Sequence, residues 1–158
     1  MFLPHDLGMS ELNYIFEVYK NLYIGGYWPK LDFQKLKEIG IIAIVNLMED
    51  KVYDPRPHGF AYLYRGFADD WYVPHEYLEE IFEFIDKHII QGKVLIHCAR
   101  GVSRSGGVIV AWLLKEHQNW TWNKAVEYVS KSRLIFPAIE IKESILNYFE
   151  TVENRRRE

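Results

Sequence analysis

Apolar residues along this chain fall into short dense runs that alternate with stretches of helical spacing. The runs at 14–18 (YIFEV) and 22–26 (LYIGG) predict two short strands joined by a turn. From 32 to 40 the spacing predicts a helix: Phe33, Leu36 and Ile39 share a face, Asp32 is placed to cap the start and Gly40 suits the stop. "IIAIVNL" (41–47) is mostly apolar and β-branched, the pattern of a strand buried on both faces. "DPRPHG" (54–59) is turn chemistry, and "FAYLYRG" (60–66) predicts the next strand. "ADDWYVP" (68–74) follows neither period and is expected to be a loop. After Pro74, Leu78, Ile81, Phe82, Ile85 and Ile89 mark a helix that Gly92 ends, and "KVLIH" (93–97) predicts another buried strand. The pattern is helical again from Ser105 to about His117, Thr121 can cap "WNKAVEYVSKS", and Ile141, Ile145, Phe149 and Val152 mark a last helix. Such alternation predicts the α/β class: a central, mostly parallel sheet of four to five strands with helices on both faces.

Composition narrows the class without changing it. The 158 residues fit a single domain with its core at about 14–153, and 49% hydrophobic with 26% charged residues is an ordinary globular balance. A formal net charge of -3 argues against a nucleic-acid partner but leaves room for a local anion pocket. The opening "MFLPHDLGMSELNY" has neither a basic nor an apolar leader region, so no signal peptide is expected. No apolar run approaches the ~20 residues of a membrane helix, so no membrane insertion is expected. One cysteine excludes an internal disulfide and any Cys–Cys metal spacing, and a lone thiol fits a reducing, cytoplasmic location. His58, His75, His88 and His117 show no ligand spacing.

That cysteine stands in "VLIHCARGVSRSGG" (94–107), where a predicted strand leaves for a predicted helix. Ligands of open α/β sheets bind at the carboxyl ends of strands, and a helix N-terminus there offers free N–H groups and a positive dipole end. Gly101 permits a backbone turn that converges those amides. Arg104, six positions after Cys98, is far enough along for its guanidinium to fold back and grip two oxygens of a tetrahedral anion. Amides, dipole and guanidinium all favour thiolate over thiol, so Cys98 is expected to be a nucleophile at neutral pH. Gly106 and Gly107 lie within the helical pattern, where either close approach of the helix to the sheet or loop or a frayed first turn accounts for them.

"HCARGVSRS" fits the Cys-x5-Arg signature of the protein tyrosine phosphatase superfamily, and "GVSRS" resembles its dual-specificity branch. The similarity runs over roughly residues 14 to 153: "LYIGG" is like the opening strand, "IIAIVNL" like the central one, and "AVEYVSKSR…SILNYFETV" like the closing helices. The resemblance implies the cysteine-phosphatase fold and a protein phosphatase working by two displacements without metal or cofactor. Cys98 attacks phosphorus to form a cysteinyl-phosphate. Arg104 and the loop amides of Ala99, Arg100, Gly101, Val102, Ser103 and Arg104 hold the oxygens, and water hydrolyses the intermediate. Ser105 matches the hydroxyl that helps sulfur depart, and His97 matches the residue that supports ionisation indirectly. Phosphorylated proteins are the implied partners.

The family draws its general acid from an upstream loop, and "FADDWYVP" holds two aspartates. Ungapped alignment of "FAYLYRGFADDW" picks Asp69, whereas counting back from Pro74 picks Asp70; Asp69 is favoured. Arg100 departs from the acidic or small residue common at its position. It reads as a rim cation favouring acidic or multiply phosphorylated substrates, phosphoinositides included, or as a solvated side chain paired with a carboxylate of the 69–70 loop. Trp71 and Tyr72, and less strongly Trp28, are candidates for the pocket wall, and Asn46 is expected to bond a neighbouring loop rather than substrate. No counterpart of the tyrosine-recognition insertion is found. A shallow pocket admitting phosphoserine and phosphothreonine beside phosphotyrosine is the implied consequence. The alternative is a phosphatase of phosphoinositides or other non-protein monoesters using the same loop.

Overall fold

The computed structural model describes residues 15–27 and 30–157, so Tyr14, the stretch before it and Trp28 lie outside the described residues. The chain runs β1 (Phe16–Tyr19), β2 (Leu22–Gly26), α1 (Phe33–Ile39), β3 (Ile41–Asn46), β4 (Ala61–Tyr64), α2 (His75–Ile89), β5 (Lys93–Cys98), α3 (Arg104–Glu116), α4 (Trp122–Ser130) and α5 (Ile139–Arg157). A single 3-10 turn at Arg56–His58 lies between β3 and β4. Five strands form one sheet in the order β1-β2-β5-β3-β4. Only β1 pairs antiparallel; β2, β5, β3 and β4 run parallel.

Local chemistry accounts for several boundaries. Asp32 caps α1 by accepting from the Lys35 amide at 3.1 Å, and Gly40 ends it in the left-handed region at φ 105°. Thr121 caps α4 by accepting from the Lys124 amide. The predicted 60–66 strand is shorter: the Arg65 amide makes the last regular bond to β3, at Asn46, and the next, from Phe67 to Leu47, is out of the ladder's two-residue step.

Alternation along the central strands divides the core between two faces. Tyr23, Ile44 and Leu95 point to one side with Leu36 of α1, Ile41 and Phe60. Ile24, Val45 and Ile96 point to the other, against Leu78, Ile81 and Ile85 of α2, Ile109 and Leu113 of α3, Val129 of α4 and Ile141 and Ile145 of α5. Among the described residues, helices therefore cover both faces, α1 on the first and α2 to α5 on the second. Each fully buried Leu or Ile contributes roughly 2 kcal/mol of hydrophobic free energy against exposure. No described helix is long and apolar enough to cross a membrane.

Topology sets the place of the site. The chain passes from β2 to β3 across the position that β5 later fills, so strand order reverses around β5. The parallel register brings Gly26 beside Cys98 and Asn46 beside His97 at the carboxyl ends of three neighbouring strands. A crevice at such a reversal point is where α/β sheets receive ligands.

Candidate active site

Cys98 is the last residue of β5, and Arg104 the first of α3. The five residues between them curl into a tight loop. At its turn Gly101 takes φ 72°, and a Cβ there would lie 2.7 Å from the Gly25 backbone. Gly26 is equally confined, since its Cβ would fall 2.9 Å from the Arg100 carbonyl carbon. Glycines on both sides let β2 and the loop approach to backbone contact, and the Tyr27 amide then donates to the carbonyls of Cys98 and Ala99.

The sulfur is 3% exposed as a residue and held from the loop side. The Gly101 amide points at Sγ over 3.3 Å, and the Ser105 hydroxyl lies 3.2 Å away. Burial pushes this thiol up. The Ser105 hydroxyl and amide, the Gly101 amide and the Arg104 charge outweigh it, so the net shift is downward, towards thiolate. At the start of α3 the Ser103 side chain does not cap the helix; its Oγ accepts instead from the Ala138 amide at 2.9 Å. The first amides of α3 are thus left uncapped by that side chain at the sulfur's end of the helix.

The Ser105 hydroxyl is therefore at the Cys98 sulfur, and the Arg104 charge acts on it. Arg104 donates from Nη1 to the Phe67 carbonyl at 2.9 Å, which ties the guanidinium to the segment carrying the two aspartates. Asp69 and Asp70 occupy the centre of a turn closed by the Trp71 amide donating to Ala68, and both are exposed. Neither carboxylate has an ion-pair partner among the described residues. Trp71 packs near Phe67 and Tyr77, and Tyr72 donates its hydroxyl to Glu143 of α5. Arg100 is exposed and forms no ion pair with the 69–70 turn among the described residues, so its predicted carboxylate pairing is not formed. Ala99 and Val102 are half-buried members of the loop backbone. Asn46 bonds the Lys51 carbonyl, the Tyr62 hydroxyl and the Met48 amide, in keeping with a loop-bracing role.

His97 precedes Cys98 in β5 and is fully buried. Nδ1 donates to the Cys98 carbonyl over 3.2 Å, which leaves Nε2 to accept from the Tyr53 hydroxyl at 2.5 Å. Burial and the nearby Arg104 charge hold the imidazole down at about 4, against a partial opposing effect of the Cys98 carbonyl. Burial also raises the Tyr53 phenol, keeping it protonated as the donor.

Two contributors have no motif of their own. Tyr53 sits in a polar connection 44 residues from its partner His97. Arg133 follows α4 and donates from Nε and Nη2 to the carbonyls of Gly101 and Arg100. Nothing local in the sequence marks either, because each acts through a contact made only on folding. No group of three His, Cys, Asp or Glu side chains able to hold a metal is found among the described residues.

Comparison with known proteins adds to this geometry. Residues 22–151 match the sequence profile described as "Dual specificity phosphatase, catalytic domain". Human dual specificity protein phosphatase 13B is 31% identical over 158 aligned residues, which cover 92% of this chain and 76% of that protein. Protein phosphatase Slingshot of Drosophila melanogaster is 30% identical over 137 residues, 85% of this chain but only 13% of its own length. This chain therefore spans a small part of Slingshot. Among solved structures, human DUSP28 superposes with a TM-score of 0.77 at 22% identity, covering 89% of this chain and 99% of that one. A mouse protein complexed with zinc tungstate gives 0.77 at 24% identity over 90% of both chains.

Proposed function

The chain belongs to the family of dual specificity phosphatase catalytic domains, and from that premise we propose that it hydrolyses phosphotyrosine, phosphoserine and phosphothreonine in proteins through a cysteinyl-phosphate. The observation that carries this reading is the Cys98 sulfur, lowered towards thiolate at the floor of a loop whose Gly101 amide and Ser105 hydroxyl lie 3.3 and 3.2 Å from it.

In the first step Sγ bonds to phosphorus as the bond to the leaving oxygen breaks. The inward amides of residues 99 to 104 and the Arg104 guanidinium stabilise charge on the three equatorial oxygens. A carboxylic acid of the 68–71 turn, assigned to Asp69, gives its proton to the leaving oxygen. In the second step the same carboxylate takes a proton from water, the water oxygen bonds to phosphorus, and the P–S bond breaks. The Ser105 hydroxyl donates to the departing thiolate, which the lowered thiol pKa makes a good leaving group. The Arg104–Phe67 tether keeps the turn and the phosphate cradle at a fixed separation.

The test measures phosphate release from one peptide frame carrying each of the three phosphoamino acids, and from phosphoinositide vesicles. Wild type should act on all three peptides, and Cys98→Ser should abolish turnover while still binding. Faster release from the vesicles would move the substrate to lipids, and appreciable Cys98→Ser turnover would remove the covalent step. Asp69→Ala should slow poor leaving groups by roughly 100-fold or more; the same selective loss in Asp70→Ala instead would transfer the acid to Asp70.

A further inference from the structure

The connection between α4 and α5 lies along the outer side of the cysteine loop and holds four successive loop residues. Arg133 Nη2 donates to the Arg100 carbonyl at 3.1 Å and Arg133 Nε to the Gly101 carbonyl at 3.2 Å. The Phe136 amide donates to the Val102 carbonyl at 3.2 Å, and the Ala138 amide to Ser103 Oγ at 2.9 Å. The strap and the start of α5 reach this close because the first turn of α3 carries two glycines, Gly106 and Gly107. A Cβ on Gly106 would stand 2.9 Å from Ile135 Cβ, and one on Gly107 2.5 Å from Ile141 Cγ2.

A planar trans peptide places its C=O and N–H on opposite sides. Holding the Arg100 carbonyl outward therefore turns the Gly101 N–H inward, and that is the amide directed at Cys98 Sγ. Holding the Gly101 carbonyl outward turns the Val102 N–H inward by the same rule, and the Phe136 bond does this for Ser103. Two adjacent carbonyls gripped by one rigid fork fix the rotation of two successive peptide planes. Lysine, a single point of charge on a flexible stem, does not hold both. The guanidinium also lies 5.4 Å from the Phe16 ring centroid, which orients it from the far side.

We propose that Arg133 is a positioning residue for the phosphate-loop chemistry: from outside the pocket it grips the Arg100 and Gly101 carbonyls and thereby aims the Gly101 and Val102 amides at the sulfur and at the bound phosphate. The proposal rests on the phosphatase reading above, and two of its readouts need no turnover. Cys98 is the chain's sole cysteine, so alkylation by iodoacetamide reports on that thiol alone.

The experiment follows alkylation rate against pH, protection of the thiol by inorganic phosphate, and hydrolysis of both a small aryl phosphate and a phosphopeptide. It compares wild type, Arg133→Ala, Arg133→Lys and, as a control, Arg104→Ala, with thermal melts to confirm folding. Arg133→Ala should move the alkylation midpoint upward and weaken phosphate protection roughly tenfold, the size expected when bonds to a charged donor are lost. Hydrolysis of the two substrates should fall by the same factor. Arg133→Lys, which keeps charge and stem, should also show a raised midpoint, and it decides the matter if the alanine variant does not fold. A wild-type midpoint in folded Arg133→Lys, or a loss confined to the phosphopeptide, would overturn the proposal. A wild-type midpoint at the ordinary thiol value of about 8.5, with no phosphate protection, would instead overturn the phosphatase reading itself.

Discussion

His97 is wholly buried next to Cys98 in the chain, and its environment sets how it responds to pH. Its ring is buried between Tyr27 and Tyr53, with Nδ1 donating to the Cys98 carbonyl and Nε2 accepting from the Tyr53 hydroxyl, and burial disfavours the charged imidazolium. Above pH ~6.5 the imidazole is neutral in the folded and unfolded chain alike. On acidification the unfolded chain takes up the proton first, while the folded chain resists until about 4. Stability should therefore fall as pH drops from ~6.5 to 4, by on the order of 3 kcal/mol from this residue. Denaturant midpoints across that range should decline less steeply in His97→Gln than in wild type, and parallel profiles would mean that His97 is not the group titrating. The nearness of Cys98, Arg104 and Ser105 was legible at this scale because all three fall within one short stretch of chain. Tyr53 and Arg133 were not, because nothing in the residues beside them points to partners 44 and 32 positions away.

Elements whose ends are set by adjacent residues were legible in the same way. Asp32, Gly40 and Thr121 each act on a neighbour three or four positions off, and the helices they bound lie where the pattern puts them. The pair Gly106–Gly107 was open between close approach to the sheet or loop and a loose helix turn, since the actual neighbours, Ile135 before α5 and Ile141 within it, come from far along the chain. The contacts of Ile135 and Ile141 decide for close approach. This yields a prediction with opposing contributions. Alanine would favour the helix over glycine by about 1 kcal/mol, but forcing a methyl into a filled core costs typically 1–3 kcal/mol. With only 2.5 Å between a Cβ at Gly107 and Ile141 Cγ2, the clash should win. Gly107→Ala should lower unfolding free energy by roughly 1–2 kcal/mol, and Ile141→Ala should make the added methyl harmless or favourable in a double-mutant cycle. Additive effects would show that the two residues do not meet.

At the scale of the whole molecule, the alternation of strands and helices was legible, but the order β1-β2-β5-β3-β4 and the antiparallel edge were not. Periodicity tells which segments are buried on both faces, and says nothing of which strand lies between which. That order matters, because it puts β5 between β2 and β3 and so places a buried sulfur, a helix start and a guanidinium at one crevice. The chain's net charge is -3, so on the proposed reading anion affinity has to come from these local groups and not from the overall field. An oxyanion that binds only the folded site must then stabilise the entire domain by mass action. At a concentration 100-fold above its dissociation constant the gain is about 2.7 kcal/mol. With roughly 2–4 °C per kcal/mol for a domain of about 150 residues, the melting midpoint should rise by roughly 5–10 °C. Melts in tungstate should show that rise in wild type and in Cys98→Ser, where the amides and Arg104 are intact. Arg104→Ala should lose most of it, because the two-oxygen grip is gone. A wild-type midpoint unmoved at saturating tungstate would mean that the crevice is no anion cradle, whatever the state of its sulfur.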